Sequence, residues 1–349
     1  MFKASYKKIN LQFNFEAKTS RGSFLEKDAY FLFLQSLDNP NIYGIGEASP
    51  IKDLSIDNLD DFEKKIALTC QEINKIKDMP EDLELAKYPA IEFALETAIL
   101  DLQNGGIRKI VDTDFFNKQK SISINGLVWM DSKENMKEQI KNKIENGFKC
   151  IKIKVGSLSF EDELDLLKEI RKNYPKNLEI RLDANGAFAP KEALEKLKKL
   201  SEYNIHSIEQ PIKQGNWGDM AKLAKNSPIP IALDEELIGI STLSGKGLVL
   251  DIIKPKYIIL KPTLLGGLQA SQEWIELAHD KNIDWWVTSS LESNIGLNAI
   301  AQWTSSFNTI LPQGLGTGQI YKNNIDSPLE VKNGALSYNK NKKWGNLIN

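Results

Sequence analysis

From about residue 120 onward, short runs rich in β-branched residues alternate with stretches whose apolar positions fall three and four residues apart. The β-like runs are SISINGL, KCIKIKV, LEIRLDAN, HSIEQP, IPIALDE, YIILKP, DWWVTSS and QGLGTG. Between them lie helical patterns such as FEDELDLLKEIRKN and PKEALEKLKKLSEY. This alternation predicts parallel strands joined by helical crossovers. Eight such runs predict a closed barrel. A doubly wound sheet is the weaker alternative, because no Gly-rich phosphate loop follows the first run.

The first ~105 residues follow a different pattern, strands and then helices. Leu11–Phe15, Tyr30–Leu34 and Ile42–Glu47 read as strands, Leu59–Lys77 and Pro89–Asn104 as helices, with Gly105-Gly106 ending the second helix. Strands followed by helices predict a separate α+β domain.

Within the barrel pattern, Lys154, Asp183, Glu209, Asp234, Lys261 and Ser289 are 29, 26, 25, 27 and 28 residues apart. Each stands at or near the carboxyl end of its run, and about 30 residues is the length of one strand-and-helix unit. Six polar residues closing successive strands therefore meet at one rim, the rim on which barrel enzymes build their active sites. Asp183, Glu209 and Asp234 follow short apolar runs on consecutive strands. Any one of them alone would suit a helix N-cap or a turn. Three in register repel one another and are costly to bury, and a cation resolves both problems. An all-oxygen donor set favours a hard ion, so Mg2+ is expected, with Mn2+ able to replace it.

Lys152 and Lys154 are two apart on a strand and share a face, which sends Ile151, Ile153 and Val155 outward. Barrel interiors are normally apolar, so two inward lysines require anions opposite. Lys261 ends the sixth run, across the barrel from the second. A solvated edge strand is the alternative, opposed by the apolar neighbours on both sides. A lysine pKa near 10.4 is too high for a base at neutral pH, and a neighbouring ammonium or divalent cation lowers it. With Lys152 beside it, the deprotonated amine can take a proton α to a carboxylate held by Mg2+, while the remaining cation lies across the ring.

Bulk properties exclude other classes. The chain has 349 residues, 41% hydrophobic and 26% charged, enough for a large core. A net charge of −2 gives no reason to expect nucleic acid or a membrane surface as partner. No stretch approaches the roughly 20 apolar residues of a membrane helix. Cys70 and Cys150 do not form a disulfide framework, and a soluble cytoplasmic protein is expected. His206 and His279 have no companion ligands nearby and are expected in surface or packing roles.

The motifs KIK, DAN, EQP, DE and KPTLLGG on runs two to six resemble the enolase superfamily, and the paired lysines resemble its muconate-lactonizing-enzyme subgroup. The amino-terminal region, including GIGEASP at Gly44–Pro50, resembles that family's capping domain, so the likeness covers nearly the whole chain. It implies an α/β fold, a modified TIM barrel of (β/α)7β type with an α+β capping domain. The expected division is a capping domain over 1–118, joined by the C-terminal segment 320–349, and a barrel over 119–319. INGLVWM, SSLESNIG and GLGTGQIY are most similar to members that eliminate water from a hydroxylated cyclohexadiene carboxylate in menaquinone biosynthesis.

That resemblance implies that Lys154 abstracts the α-proton and protonates the departing hydroxide, that Lys261 stabilises the enediolate, and that Asp183, Glu209 and Asp234 hold Mg2+. Arg181 and Asn185 share the parity of Asp183 and are expected inward, Arg181 on a substrate carboxylate and Asn185 orienting Lys154 or the metal shell. Ser289 and Ser290 are expected to receive a second carboxylate. Gly314, Gly316 and Gly318 leave open backbone or form a tight turn. Thr19–Gly22 resembles the family's lid, where Arg21 either meets an anionic substrate or is a solvated charge. The implied partner is a small carboxylate, with the oligomeric state open. Within the same barrel, N-acylamino-acid racemisation, dipeptide epimerisation and muconate cycloisomerisation are the alternatives. Gly316-Thr317-Gly318 replaces the Asp-x-Asp of dipeptide epimerases and weighs against an amine-bearing substrate. A non-catalytic barrel would need no intact base.

Overall fold

The computed structural model describes residues 1–19, 22–80 and 82–347. It opens with a long antiparallel hairpin, β1 (Phe2–Thr19) and β2 (Gly22–Ser36), to which β3 (Tyr43–Ala48) adds antiparallel. Both hairpin strands extend well beyond the expected Leu11–Phe15 and Tyr30–Leu34. The reason is that their flanks are paired but solvated, so they carry little apolar signal. Two helices, α1 (Phe62–Ile76) and α2 (Pro89–Gln103), cover one face of this sheet. Leu32, Leu34, Ile66, Ile73, Ala94 and Ala98 fill the space between them.

Gly46 explains how closely β3 approaches α2. A Cβ there would lie 1.8 Å from the Ala94 carbonyl oxygen, a distance no side chain can occupy. Gly46→Ala is therefore expected to push β3 off α2 and destabilise the protein by roughly 1–3 kcal/mol or more. Thermal unfolding checks this, and an unchanged Tm would show that the contact is not tight.

A short helix, α3 (Asp114–Lys118), and strand β4 (Ile122–Ser123) lead to a seven-stranded parallel sheet. Its strands are β5 (Gly126–Val128), β6 (Cys150–Lys154), β7 (Glu179–Asp183), β8 (Ser207–Glu209), β9 (Ile231–Leu233), β10 (Tyr257–Leu260) and β11 (Asp284–Val287), each beside its sequence neighbour. The helices between them are α4 (Lys133–Glu145), α5 (Phe160–Asn173), α6 (Pro190–Ser201), α7 (Trp217–Asn226), α8 (Leu243–Ile253), then α9 (Pro262–Leu265) and α10 (Leu268–Asp280), with α11 (Asn294–Thr304) after β11. Ser132 and Ser159 cap α4 and α5 by accepting from Asn135 N and Asp162 N, which fixes where those helices begin.

Gln313 and Gly314 join the two edges of the sheet. Gly314 N donates to the Val287 carbonyl at 2.7 Å, and Asn125 N donates to the Gln313 carbonyl at 2.9 Å. These bridges at Gln313 and Gly314 close the barrel between β11 and β5. Ile151, Ile153, Ile180, Leu182, Ile208 and Leu260 point outward into the helix layer.

The C-terminal segment does two things. Lys322 N donates to the Gln12 carbonyl, tying the segment to β1. Beyond that point, β12 (Leu329–Lys332) and β13 (Ala335–Tyr338) pair with β4 beside the barrel, not with the capping sheet. Ile320, Tyr321 and Leu347 of this segment pack with Leu11, Phe13 and Phe31 of the hairpin, so it touches both the capping domain and the barrel side. No helix among the described residues is long and apolar enough to cross a membrane.

Candidate active site

The carboxyl ends of β6 to β10 bring the polar rim residues together. Register pairs Lys154 with Asp183 and Asp183 with Glu209, which sets these groups at one level of the barrel. Lys152, Lys154 and Lys261 are 7%, 7% and 9% exposed, and Asp183, Glu209 and Asp234 are 1–2% exposed. Lysines and carboxylates interleave. Lys152 Nζ donates to Glu209 at 2.9 Å and lies 3.3 Å from Asp183. Lys154 Nζ donates to Asp183 at 2.9 Å and to Asn185 Oδ1 at 2.6 Å. At the end of β10, Lys261 donates to Asp234, which follows the neighbouring β9.

These contacts decide the charges. Burial disfavours the Lys152 ammonium, but the combined pull of Glu209, Asp183 and Asp234 outweighs it and holds Lys152 above the usual lysine range. Lys261 is likewise raised, with burial outweighed by Asp234, Glu235 and Glu209. Burial pushes the Asp183 carboxyl up, but Lys154 and Lys152 overcome it and bring it well below the ordinary carboxylate range. Burial and the neighbouring Asp183 push Glu209 up against the pull of Lys152. For Lys152 itself, then, the surrounding carboxylates and not the neighbouring ammonium set the charge.

A divalent cation fits the donor chemistry of this site. Three buried carboxylates from consecutive strands present only oxygen, the donor Mg2+ prefers. Among the described residues, no three His, Cys, Asp or Glu side chains are already gathered as a metal cluster. Lysine ammonium groups instead lie among these carboxylates and partly neutralise them.

The rim opens into a cavity of about 890 Å³ beneath the β1–β2 hairpin. Lys152, Lys154, Asp183, Asn185 and Lys261 line its floor, and Phe15, Phe24, Trp129 and Leu291 supply apolar walls. Asn185 bridges Lys154 to Glu235, its Nδ2 donating to Glu235 at 3.0 Å. That places it to orient the lysine. Ser289 and Gly316 also line the cavity; the Ser289 hydroxyl shares a 2.6 Å hydrogen bond with Thr317. Ser290 offers less than expected, because its amide and hydroxyl both donate to Glu292. Gly314 is a packing glycine, since a Cβ there would meet Thr288 Oγ1 at 2.1 Å, whereas Gly316 leaves ordinary room. Arg21 lies outside the described residues.

Arg181 departs from its expected role. It does face the barrel interior, but one layer below Asp183, paired in register with Lys152. Its guanidinium stacks 4.1 Å from the Trp286 ring, with Nε on Glu179 and Nη1 on the Pro312 carbonyl. Parity gave the direction correctly, but the acceptors and the aromatic face lie below and pull the long side chain away from the cavity. Arg181→Leu is expected to lower Tm and leave KM unchanged. A raised KM with an unchanged Tm would return Arg181 to the substrate site. His206 belongs to the same lower layer, stacked on Tyr257 at 5.0 Å between ring centres, and His279 is exposed.

Sequence patterns missed several groups. Gln210, after Glu209, accepts from the amides of Asp234 and Glu236 and so ties the ends of β8 and β9. Trp129, Leu291 and Thr317 become cavity residues only through folding. The EQP motif was the available signal for Gln210, and the motifs INGLVWM, SSLESNIG and GLGTGQIY contain the other three.

Residues 135–343 match the family described as enolase C-terminal domain-like. The chain belongs to the enolase superfamily. It is 42% identical to an o-succinylbenzoate synthase of Desulfotalea psychrophila, over 95% of this chain and 98% of the relative. A crystal structure of MenC from the same organism superposes with a TM-score of 0.86 at 40% identity, covering 96% of this chain and 99% of that one. A dipeptide epimerase from Cytophaga hutchinsonii, complexed with Mg and a dipeptide, shares the fold with a TM-score of 0.82 at 20% identity, over 99% and 94% of the two chains.

Proposed function

We propose that the chain catalyses the o-succinylbenzoate synthase reaction: Mg2+-dependent loss of water from 2-succinyl-6-hydroxy-2,4-cyclohexadiene-1-carboxylate to give 2-succinylbenzoate, in the cytoplasm, within menaquinone biosynthesis. The observation that supports this most is the 42% identity to a synthase over 95% of the chain. The geometry agrees with it: two buried lysines from opposite strands face one cavity large enough for a dicarboxylate.

In this reading the neutral Lys154 amine takes the proton α to the ring carboxylate, leaving the electron pair as an enolate. That pair then expels the hydroxide at the neighbouring carbon as the ring becomes aromatic. The Lys154 ammonium returns its proton to the hydroxide, so one water leaves and the lysine is neutral again. Lys261, on the other side, keeps its charge and faces the enolate. Asn185 holds Lys154 in line. Asp183, Glu209 and Asp234 would hold Mg2+, which would supply fixed positive charge to offset the charge of the enolate. Ser289 and the backbone at Gly316 face the succinyl end.

The test is direct comparison of the cyclohexadiene substrate with N-succinylamino acids on the purified protein. Dehydration at the higher kcat/KM supports the reading. Racemisation without dehydration would overturn it in favour of a racemase in the same barrel.

A further inference from the structure

Above the cavity, the loop after β11 is held in an unusual shape. Leu291 has φ 62°, left-handed backbone that is costly for an L side chain. Its side chain lines the cavity, as does Ser289 two residues earlier. Two donors converge on its carbonyl oxygen: Tyr321 Oη at 2.7 Å and Lys27 Nζ at 3.1 Å. Lys27 also donates to the Ser290 carbonyl at 2.8 Å.

Lys27 comes from β2 of the capping sheet, 263 residues away in sequence, and is only 9% exposed. Burial pulls its ammonium down to about 8, opposed by Glu292, Glu47 and Asp57. A lysine is an expensive way to fill such a place, and its ammonium donates to both of these carbonyls. The loop is braced elsewhere too. Fully buried Glu292 accepts from Ser290 and from Thr263 Oγ1, two residues beyond Lys261. Glu47 of β3 accepts from Ser293 N and Gly296 N at the start of α11. Lys27 and Glu47 thus reach this loop from the capping sheet, and Glu292 joins it to the segment that carries Lys261.

We propose that Lys27 is a positioning residue: it holds the Ser289–Ser293 loop, with Leu291 in left-handed backbone, in the form that completes the substrate cavity. Seating of the capping sheet on the barrel and assembly of the pocket wall are then one event. The catalytic part of this inference rests on the reading that the α-proton is removed in this cavity; the structural part does not.

The test compares Lys27→Met, Lys27→Arg, Leu291→Gly and the Lys27→Met/Leu291→Gly double variant. Amide hydrogen exchange without substrate, Tm, kcat and KM are the readouts. Lys27→Met is expected to lower exchange protection of residues 289–293 by roughly 10- to 100-fold, the factor one charged hydrogen bond supplies. Protection of the barrel strands should hold, KM should rise more than kcat falls, and Lys27→Arg should recover part of the loss. Glycine adopts left-handed backbone without a brace. In the Leu291→Gly background, the Lys27→Met change should therefore cost several-fold less.

An equal loss in both backgrounds, or unchanged protection of the loop, would overturn the proposal. So would a loss spread evenly over the barrel. If Lys27→Met fails to fold, Tyr321→Phe removes the other donor to Leu291 and must loosen the same loop, again less strongly with Gly at 291. The exchange experiment needs no substrate. A wild-type protein inactive on the cyclohexadiene would therefore sink the functional reading and leave this inference to be judged on exchange alone.

Discussion

Lys154→Ala and Lys261→Ala are each expected to lower kcat by roughly 10²–10⁴-fold while the barrel stays folded. The two losses have different causes. Lys154 is the group that moves the proton, held by Asp183 and Asn185. Without it Asp183 keeps Lys152 at 3.3 Å, so no buried carboxylate is stranded and Tm should change little. Lys261 is the ammonium in contact with buried Asp234. Its removal costs both the charge facing the enolate and the partner of that carboxylate, so Tm should fall in metal-free buffer and recover with Mg2+. Steady-state kinetics and thermal unfolding with and without Mg2+ check both arms. A Lys261→Ala protein near wild-type rate would end the two-lysine mechanism.

Chelation is expected to abolish turnover without unfolding the protein, and added Mg2+ to restore it. Both halves follow from the charges. Asp183, Glu209 and Asp234 are buried together, and the lysines among them supply enough positive charge to keep the metal-free chain folded. Binding to the folded state alone should raise stability by about 2.7 kcal/mol at a hundredfold excess over Kd. Lys152→Met sharpens the measurement. It removes the ammonium shared by Glu209 and Asp183, so the metal-free Tm should drop and the rise on adding Mg2+ should grow. Turnover indifferent to EDTA, or the same Mg2+-induced rise in both proteins, would remove the metal from the proposal.

Much of this site was readable because strand chemistry is periodic. In KIK, alternation alone puts Lys152 and Lys154 on one face, and near-equal spacing along the chain brings Asp183, Glu209, Asp234 and Lys261 to one rim. Helix ends were readable for a similar reason: capping and Pro at the first turn act over a few residues, so Pro89 opens α2 where it was expected. Arg181 shows where alternation stops being informative. It fixes the side of a strand, not the height at which a long side chain ends, and that height depends on Trp286, Glu179 and the Pro312 carbonyl.

By itself, then, the chain's order of residues determined a barrel, its catalytic rim, a pair of inward lysines and three carboxylates suited to a hard ion. Those are consequences of repeat length and parity, which act locally. Only the tertiary structure decided which ammonium meets which carboxylate and that Ser290 is spent on Glu292. It also decided that Lys27, a polar residue in a hairpin strand, lies buried against the carbonyls of Ser290 and Leu291. Such partners lie up to 264 residues apart, and what selects them is the cost of burying a charge or a donor unpaired, which exists only after the chain has closed around it.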